Sequence, residues 1–95
     1  MEAAPGTIML PAIVDLDAID PLRDALIAAI EAGPVVVMAA GVERISTNGL
    51  LMLLSGAETA RRHSLKLVIA AASPAFIVAL DRLGLRPQFA DLLQG

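Results

Sequence analysis

The residues best suited to chemistry lie in one short stretch, Ser46-Thr47-Asn48-Gly49, where two hydroxyls and an amide precede a glycine. This stretch separates the apolar run Val35–Met38 from a leucine-rich segment that begins at Leu50. A hydroxyl at the start of a helix has two possible roles. It can cap the helix by accepting a bond from a backbone N–H group. It can also carry a phosphate against the unpaired N–H groups of that helix end. The residues alone leave both roles open.

Other site chemistries find little support in the sequence. The chain has no cysteine and one histidine, which excludes thiolate metal sites and histidine clusters. His63 follows two arginines, and we interpret it as a solvated residue at a helix end. No serine lies in a G-x-S-x-G turn, and the segment 41–49 lacks the lysine of a phosphate-binding loop. Three acidic residues lie close together around a predicted helix start, where they would act as caps: Asp15, Asp17 and Asp20. We therefore expect no enzymatic activity, no cofactor and no metal.

Length and composition predict one domain, residues 1–95, with a core of about 7–90. Hydrophobic residues make up 57% of the chain, mostly alanine and leucine, and only two residues are aromatic. With a net charge of −3, this composition argues against nucleic-acid binding.

The acidic residues are concentrated in the first half of the chain. Residues 1–50 carry seven acidic and two basic residues, whereas residues 51–95 carry three acidic and five basic ones. The first half offers an acidic surface to a partner, or it has ordinary solvated helix faces. No apolar stretch reaches the ~20 residues that a membrane span needs, and no signal peptide is recognisable, so we expect a cytoplasmic protein.

Three strands alternate with three helices in the predicted order. Strands are predicted at 7–10, 35–39 and 65–70, and residues 13–16 extend the first strand or form a connection. The strand at 35–39 is β-branched without alternation, which is typical of a strand covered on both faces. This order predicts an α/β fold: a mixed, four- to five-stranded sheet with helices packed mainly on one face.

Each predicted helix has start and stop signals. Asp17 or Asp20 caps the first helix, which has a proline in its first turn and ends at Gly33-Pro34. The second helix runs from Gly49 to about His63. Ser73-Pro74 starts the third helix, and Gly84 ends it. Its apolar stripe is Phe76, Ile77, Leu80 and Leu83, and a short last helix over 87–93 is anchored by Phe89.

The second helix is apolar around most of its circumference. Leu50, Leu53, Leu54 and Ala57 can pack on the strands, which leaves Leu51 and Met52 without a place in the core. These two side chains meet a protein partner or a second copy of the chain, or else the first or last helix covers them.

The order of these motifs resembles the STAS domain, the sulfate-transporter and anti-sigma-factor-antagonist module. The family motif is apolar–Asp–Ser or Thr–small–Gly–Leu, and it maps onto Ile45 to Leu50. A Ser-Pro before a helix that ends in Leu-Gly-Leu is also typical, and here it is Ser73-Pro74 and Leu83-Gly84-Leu85. The resemblance covers about residues 7–90.

The resemblance implies a regulatory binding protein rather than an enzyme. Anti-sigma-factor antagonists bind a kinase with a histidine-kinase-like ATPase fold, which phosphorylates the motif hydroxyl and thereby abolishes binding. Thr47 occupies the phosphoacceptor position, and Ser46 is a second candidate. We expect the partner to contact the segment 41–54, through Glu43, Arg44, Ser46, Thr47, Asn48, Gly49, Leu51 and Met52.

The chain departs from the family at Ser46, where the usual residue is aspartate. Two other groups of STAS proteins resemble the chain at this motif and imply alternative functions. The STAS subunit of phospholipid-transporting ABC complexes docks on an ABC ATPase and often has threonine at the position of Thr47. Other relatives that lack the aspartate resemble adaptors in chemotaxis or two-component signalling.

Overall fold

The computed structural model describes residues 6–94, which form six strands and four helices. The strands are β1 (Thr7–Met9), β2 (Ile13–Val14), β3 (Val35–Met38), β4 (Arg44–Ile45), β5 (Leu67–Ala70) and β6 (Leu93–Gln94). The helices are α1 (Leu16–Ala32), α2 (Thr47–Arg62), α3 (Pro74–Leu83) and α4 (Arg86–Phe89).

The main sheet has four strands in the order β1-β3-β5-β6, and every pair in it is parallel. Helices connect its successive strands, as parallel pairing requires. The predicted α/β fold with a four-stranded sheet is confirmed. The prediction that the sheet mixes parallel and antiparallel strands was wrong for residues 6–94, because the return through α3 and α4 places β6 parallel to β5 as well.

A second, two-stranded sheet pairs β2 with β4, also in parallel, with Val14 opposite Ile45. The residues 13–16 therefore contribute a strand of a separate sheet and do not lengthen β1. Pro11 interrupts the chain between β1 and β2, and a turn at Gly41 interrupts it between β3 and β4. The small sheet thus follows two neighbouring strands of the main sheet at their carboxyl ends.

The helices cover one face of the main sheet. Along β3 and β5 the burial alternates, so that Val35, Val37, Leu67 and Ile69 are buried while the residues between them are only half-buried. The prediction that the strand at 35–39 is covered on both faces was therefore wrong for the described part of the chain. The buried core lies between the sheet and the helices and includes Leu26, Ile30, Leu50, Leu53, Phe76 and Leu80.

The helix boundaries follow local hydrogen bonds. Asp15, rather than Asp17 or Asp20, caps α1 by accepting the N–H of Asp17 at 3.2 Å, which places Pro21 in the second turn. As predicted, Ser73 caps α3 and Gly84 ends it, with a left-handed φ of 68° that suits glycine.

The last predicted helix is shorter than expected. It spans Arg86–Phe89, and the chain then enters β6. Phe89 is fully buried and meets Phe76 edge-to-face, with ring centroids 6.0 Å apart, so it is the anchor that the sequence predicted. Within residues 6–94, no helix is long and apolar enough to cross a membrane.

Candidate functional site

Ser46 is the residue that caps α2. Its backbone is extended, and its Oγ accepts the N–H of Gly49 at 3.1 Å. Its own N–H donates to the carbonyl of Val14 at 2.9 Å, which ties the helix start to the small sheet. Of the two roles open to a hydroxyl here, capping therefore belongs to Ser46.

Thr47 is the first residue of α2, and its side chain is exposed. No hydrogen bond of the Thr47 hydroxyl to another residue is found within 6–94, so this group is available to solvent or a partner. It lies beside the first N–H groups of α2, which carry the partial positive charge of the helix start. Thr47 is thus a reachable hydroxyl at a place that favours negative charge.

Gly49 sets the distance between α2 and the small sheet. It is buried, and a Cβ added to it would lie 3.0 Å from the Cγ1 atoms of both Val14 and Ile45. Such a contact is tighter than ordinary packing, so the glycine lets the first turn of α2 lie directly on β2 and β4. Gly49, predicted as a partner contact, positions the site from beneath it.

Ser73 holds the loop that precedes β4, a role that sequence reasoning missed. Its hydroxyl donates to the carbonyl of Val42 at 2.6 Å and accepts the N–H of Phe76 at 3.1 Å. Its N–H donates to the carbonyl of Ala39 at 3.1 Å. One buried serine therefore joins the start of α3 to the loop that leads through Glu43 into β4. The Ser-Pro signal indicates the cap but gives no sign of this long-range bond.

A groove runs between the start of α2 and helix α3, and we call it the α2–α3 groove. On it, Val78 and Leu83 of α3 expose 52% and 45% of their surface. Leu83 was predicted to face the core, since it continues the apolar spacing of α3, so sequence reasoning missed both as site residues. The groove is lined by Glu43, Arg44, Ile45, Ser46, Thr47, Ala75, Val78, Ala79, Arg82 and Leu83.

The charges of this groove are mostly basic. Arg44 and Arg82 line it, and neither has an ion-pair partner among residues 6–94, whereas Glu43 is the one acidic residue of the lining. The neighbouring Arg86 is neutralised by Asp81, with Nη1 3.0 Å from Oδ1. A phosphate on Thr47 would therefore stand in a groove that otherwise carries two free cations.

The remaining predicted contacts lie on the opposite side of α2, toward α1. Leu51 exposes 46% of its surface, while Met52 is buried. We call this second depression the α1–α2 groove; it is lined by Leu16, Ile19, Asp20, Arg23, Leu26, Ile27, Ile30, Asn48, Leu51, Met52, Ser55, Gly56 and Thr59. The predicted set is therefore divided: Glu43, Arg44, Ser46 and Thr47 share one groove, and Asn48, Leu51 and Met52 share the other.

Thr47 and Leu51 are four residues apart, so they share the outer ridge of α2 between the two grooves.

The far end of α2 has an ion pair. Arg61 Nη2 lies 2.9 Å and 2.7 Å from the two carboxylate oxygens of Glu58. This bond holds the pKa of the Glu58 carboxyl below its ordinary value. Glu58 consequently adds little unpaired charge to the far end of α2.

Comparison with known proteins gives one family match. The family described as "Mlab, STAS domain" matches residues 1–94 of the chain. A comparison with curated proteins gives no match.

Proposed function

Because the chain belongs to the STAS domain family, which supports a general protein-interaction role, we propose that it is a regulatory binding protein resembling an anti-sigma-factor antagonist. It binds a kinase-type protein partner through the start of α2 and the α2–α3 groove, and phosphorylation of Thr47 switches that binding. It acts in the cytoplasm and has no catalytic activity of its own.

One observation carries this proposal: Thr47 is exposed and its neighbour does the capping. A hydroxyl that capped the helix would be held by the backbone, and its modification would disturb the first turn of α2. Since Ser46 fills that role, a partner can contact or modify Thr47 without unfolding the helix start.

The surroundings of Thr47 favour an interface whose affinity depends on charge. Val78 and Leu83 offer exposed apolar surface beside it, and Arg44 and Arg82 offer cations that an acidic partner can meet. A phosphate adds about −1.5 to −2 charges. These charges compensate the two arginines, repel an acidic partner and must be desolvated in the interface, so the phosphorylated form binds more weakly.

Phosphorylation is tested by incubating the chain with ATP and each kinase of histidine-kinase-like ATPase fold from the same genome, followed by intact-mass measurement. We expect one added phosphate on the natural chain and none on Thr47→Ala. Ser46→Asp is the matched control, because aspartate also caps helices, and it should still accept the phosphate. A phosphate that survives Thr47→Ala would move the switch to another hydroxyl, and its absence from the natural chain would remove the switch but leave the binding role.

A second candidate function is that of a constitutive STAS subunit of a phospholipid-transport ABC complex. The observation in its favour is Ser46, which stands directly before Thr47. The family motif of the phosphorylated relatives has an aspartate at this position. In this case the chain should copurify with an ABC ATPase from membranes, and Thr47 should stay unmodified in the isolated complex. Copurification with a kinase and phosphorylation of Thr47 would exclude it.

A further inference from the structure

Helices α1 and α2, the two walls of the α1–α2 groove, approach each other closely at one point. Gly56 of α2 lies against Leu26 of α1 so closely that an added Cβ would approach the Leu26 Cγ to 3.1 Å. The groove is lined by large apolar side chains that the core does not cover. Leu16 exposes 73% of its surface, Ile27 49% and Leu51 46%.

These three exposed side chains belong to one groove. Half-buried Ile19 and buried Met52 also line it, and the Asp20–Arg23 ion pair lies between Leu16 and Ile27 along α1. Exposed apolar side chains gathered in one groove are typical of an interaction site, because leaving them in water forgoes the free energy that their burial would contribute.

The side of α1 next to the groove is acidic. Asp17, Asp20, Asp24 and Glu31 are spaced by three, four and seven residues along α1, so they form a stripe on one side of the helix, and Asp20 is the member of this stripe that lines the groove. The only basic residue of α1 is Arg23, whose Nη2 donates to Asp20 at 2.8 Å. The α2 wall, by contrast, presents the uncharged polar residues Asn48, Ser55 and Thr59.

We propose that the α1–α2 groove binds an amphipathic helix of a protein partner, with lysine or arginine beside its apolar stripe. Helix-in-groove recognition uses apolar anchors at helical spacing, and Leu16, Ile27 and Leu51 offer the surface for them. The 17 residues of α1 make a wall about 25 Å long at 1.5 Å per residue, which accommodates about four turns of a bound helix. The acidic stripe attracts the basic residues of that helix and sets its orientation.

The charge pattern argues against a second copy of the chain as the occupant. A two-fold symmetric dimer places the same surface of both copies in the interface. The acidic stripes of two α1 helices would then lie at one interface, with Arg23 the only α1 cation in each copy. Like charges brought together in this way oppose association, whereas a basic helix relieves the same repulsion.

This proposal does not depend on the switch at Thr47. Leu16 and Ile27 belong to α1, which contributes nothing to the lining of the α2–α3 groove. Variants at these two positions therefore test the α1–α2 groove and leave the surface around Thr47 unchanged.

The test measures fluorescence anisotropy of a labelled helical peptide with the full chain. The peptide has about 15 residues, four turns, of leucine and lysine only, with the leucines on one side. We expect saturable binding that weakens about tenfold in the double variant Leu16→Gln, Ile27→Gln, because two anchor contacts are lost. Met9→Gln is the control, because Met9 exposes 66% of its surface and lines neither groove, and it should bind as the natural chain does.

Four results would overturn the proposal. They are the absence of saturable binding, equal binding of a leucine–glutamate peptide, equal binding of a leucine–lysine peptide whose leucines are spread around the helix, and unchanged binding by the double variant. Sedimentation velocity of the chain alone decides about self-association. A dimer that the double variant abolishes and Met9→Gln retains would also overturn the proposal, because it would assign the groove to a second copy of the chain.

Discussion

Two adjacent hydroxyls, Ser46 and Thr47, occupy different environments because of where the chain leaves β4. Ile45 is paired with Val14, and the N–H of Ser46 still donates to the carbonyl of Val14. This bond keeps Ser46 extended, as a capping residue must be, and Thr47 is then the first helical residue. The division between a structural and a free hydroxyl thus follows from a backbone pairing one residue upstream.

Substituting the two hydroxyls one at a time tests this division. Ser46→Ala should lower the free energy of unfolding by ~1 kcal/mol, since the N–H of Gly49 loses its acceptor. Thr47→Ala should leave stability unchanged or raise it by a few tenths of a kcal/mol, because alanine is the better helix former. Urea denaturation of both variants measures the difference. Equal losses, or a larger loss for Thr47→Ala, would show that Thr47 contributes to the cap.

The sequence predicts a hydroxyl at this helix start but does not say which of the two caps. Serine and threonine are both good caps, and they stand next to each other. The deciding element, β4, has only two residues, too few for an alternating pattern to be recognised. For the same reason the segment 13–16 could be placed only as an extension of β1 or a connection.

The longer elements were predictable because their signals are local. Ser73-Pro74 and Gly84 bound α3 where predicted, and the β-branched runs of β3 and β5 form the centre of the sheet. What the sequence withholds is which faces are covered, since this depends on elements distant along the chain. The α3 wall of the α2–α3 groove escaped prediction in this way: Val78 and Leu83 become site residues only when α3 packs beside β4.

Among the residues that join separate elements, Ser73 should contribute most to stability. Ser73→Ala removes the cap of α3 and also leaves the buried carbonyl of Val42 without its donor, so the free energy of unfolding should fall by about 2–3 kcal/mol. Ser46→Ala is the control, because it loses a cap alone. Chemical denaturation of the two variants gives the comparison, and equal losses would mean that the bond to Val42 contributes nothing.

The close approach of α1 and α2 predicts coupling between Gly56 and Leu26. Gly56→Ala should lower the free energy of unfolding by about 1 kcal/mol more in the natural chain than in the Leu26→Ala variant. The added methyl group meets the leucine side chain only in the natural chain. A double-mutant cycle of unfolding free energies measures this difference. Additive effects would mean that Leu26 moves aside at no cost and that the helices are not held together at this point.

At the scale of the whole molecule, α2 separates two surfaces of different character. The α2–α3 groove contains Arg44 and Arg82, which have no ion-pair partner within residues 6–94, whereas the α1–α2 groove is bordered by the acidic stripe of α1, of which Asp20 lines it. The unequal distribution of charge along the sequence therefore corresponds in part to opposite sides of one helix. Because the surfaces differ in charge, the chain has room for two partners of opposite charge, one on each side of α2.

The central claim is that Thr47 lies within the surface that binds a protein partner, and calorimetric titration with a kinase of histidine-kinase-like ATPase fold from the same genome tests it most directly. Thr47→Glu should fold normally, since a carboxylate suits a helix start, yet bind at least about tenfold more weakly than the natural chain. Thr59→Glu is the matched control, an exposed threonine three turns along the same helix, and it should bind as the natural chain does. Equal affinity of Thr47→Glu and the natural chain, or an equal loss in Thr59→Glu, would contradict the account.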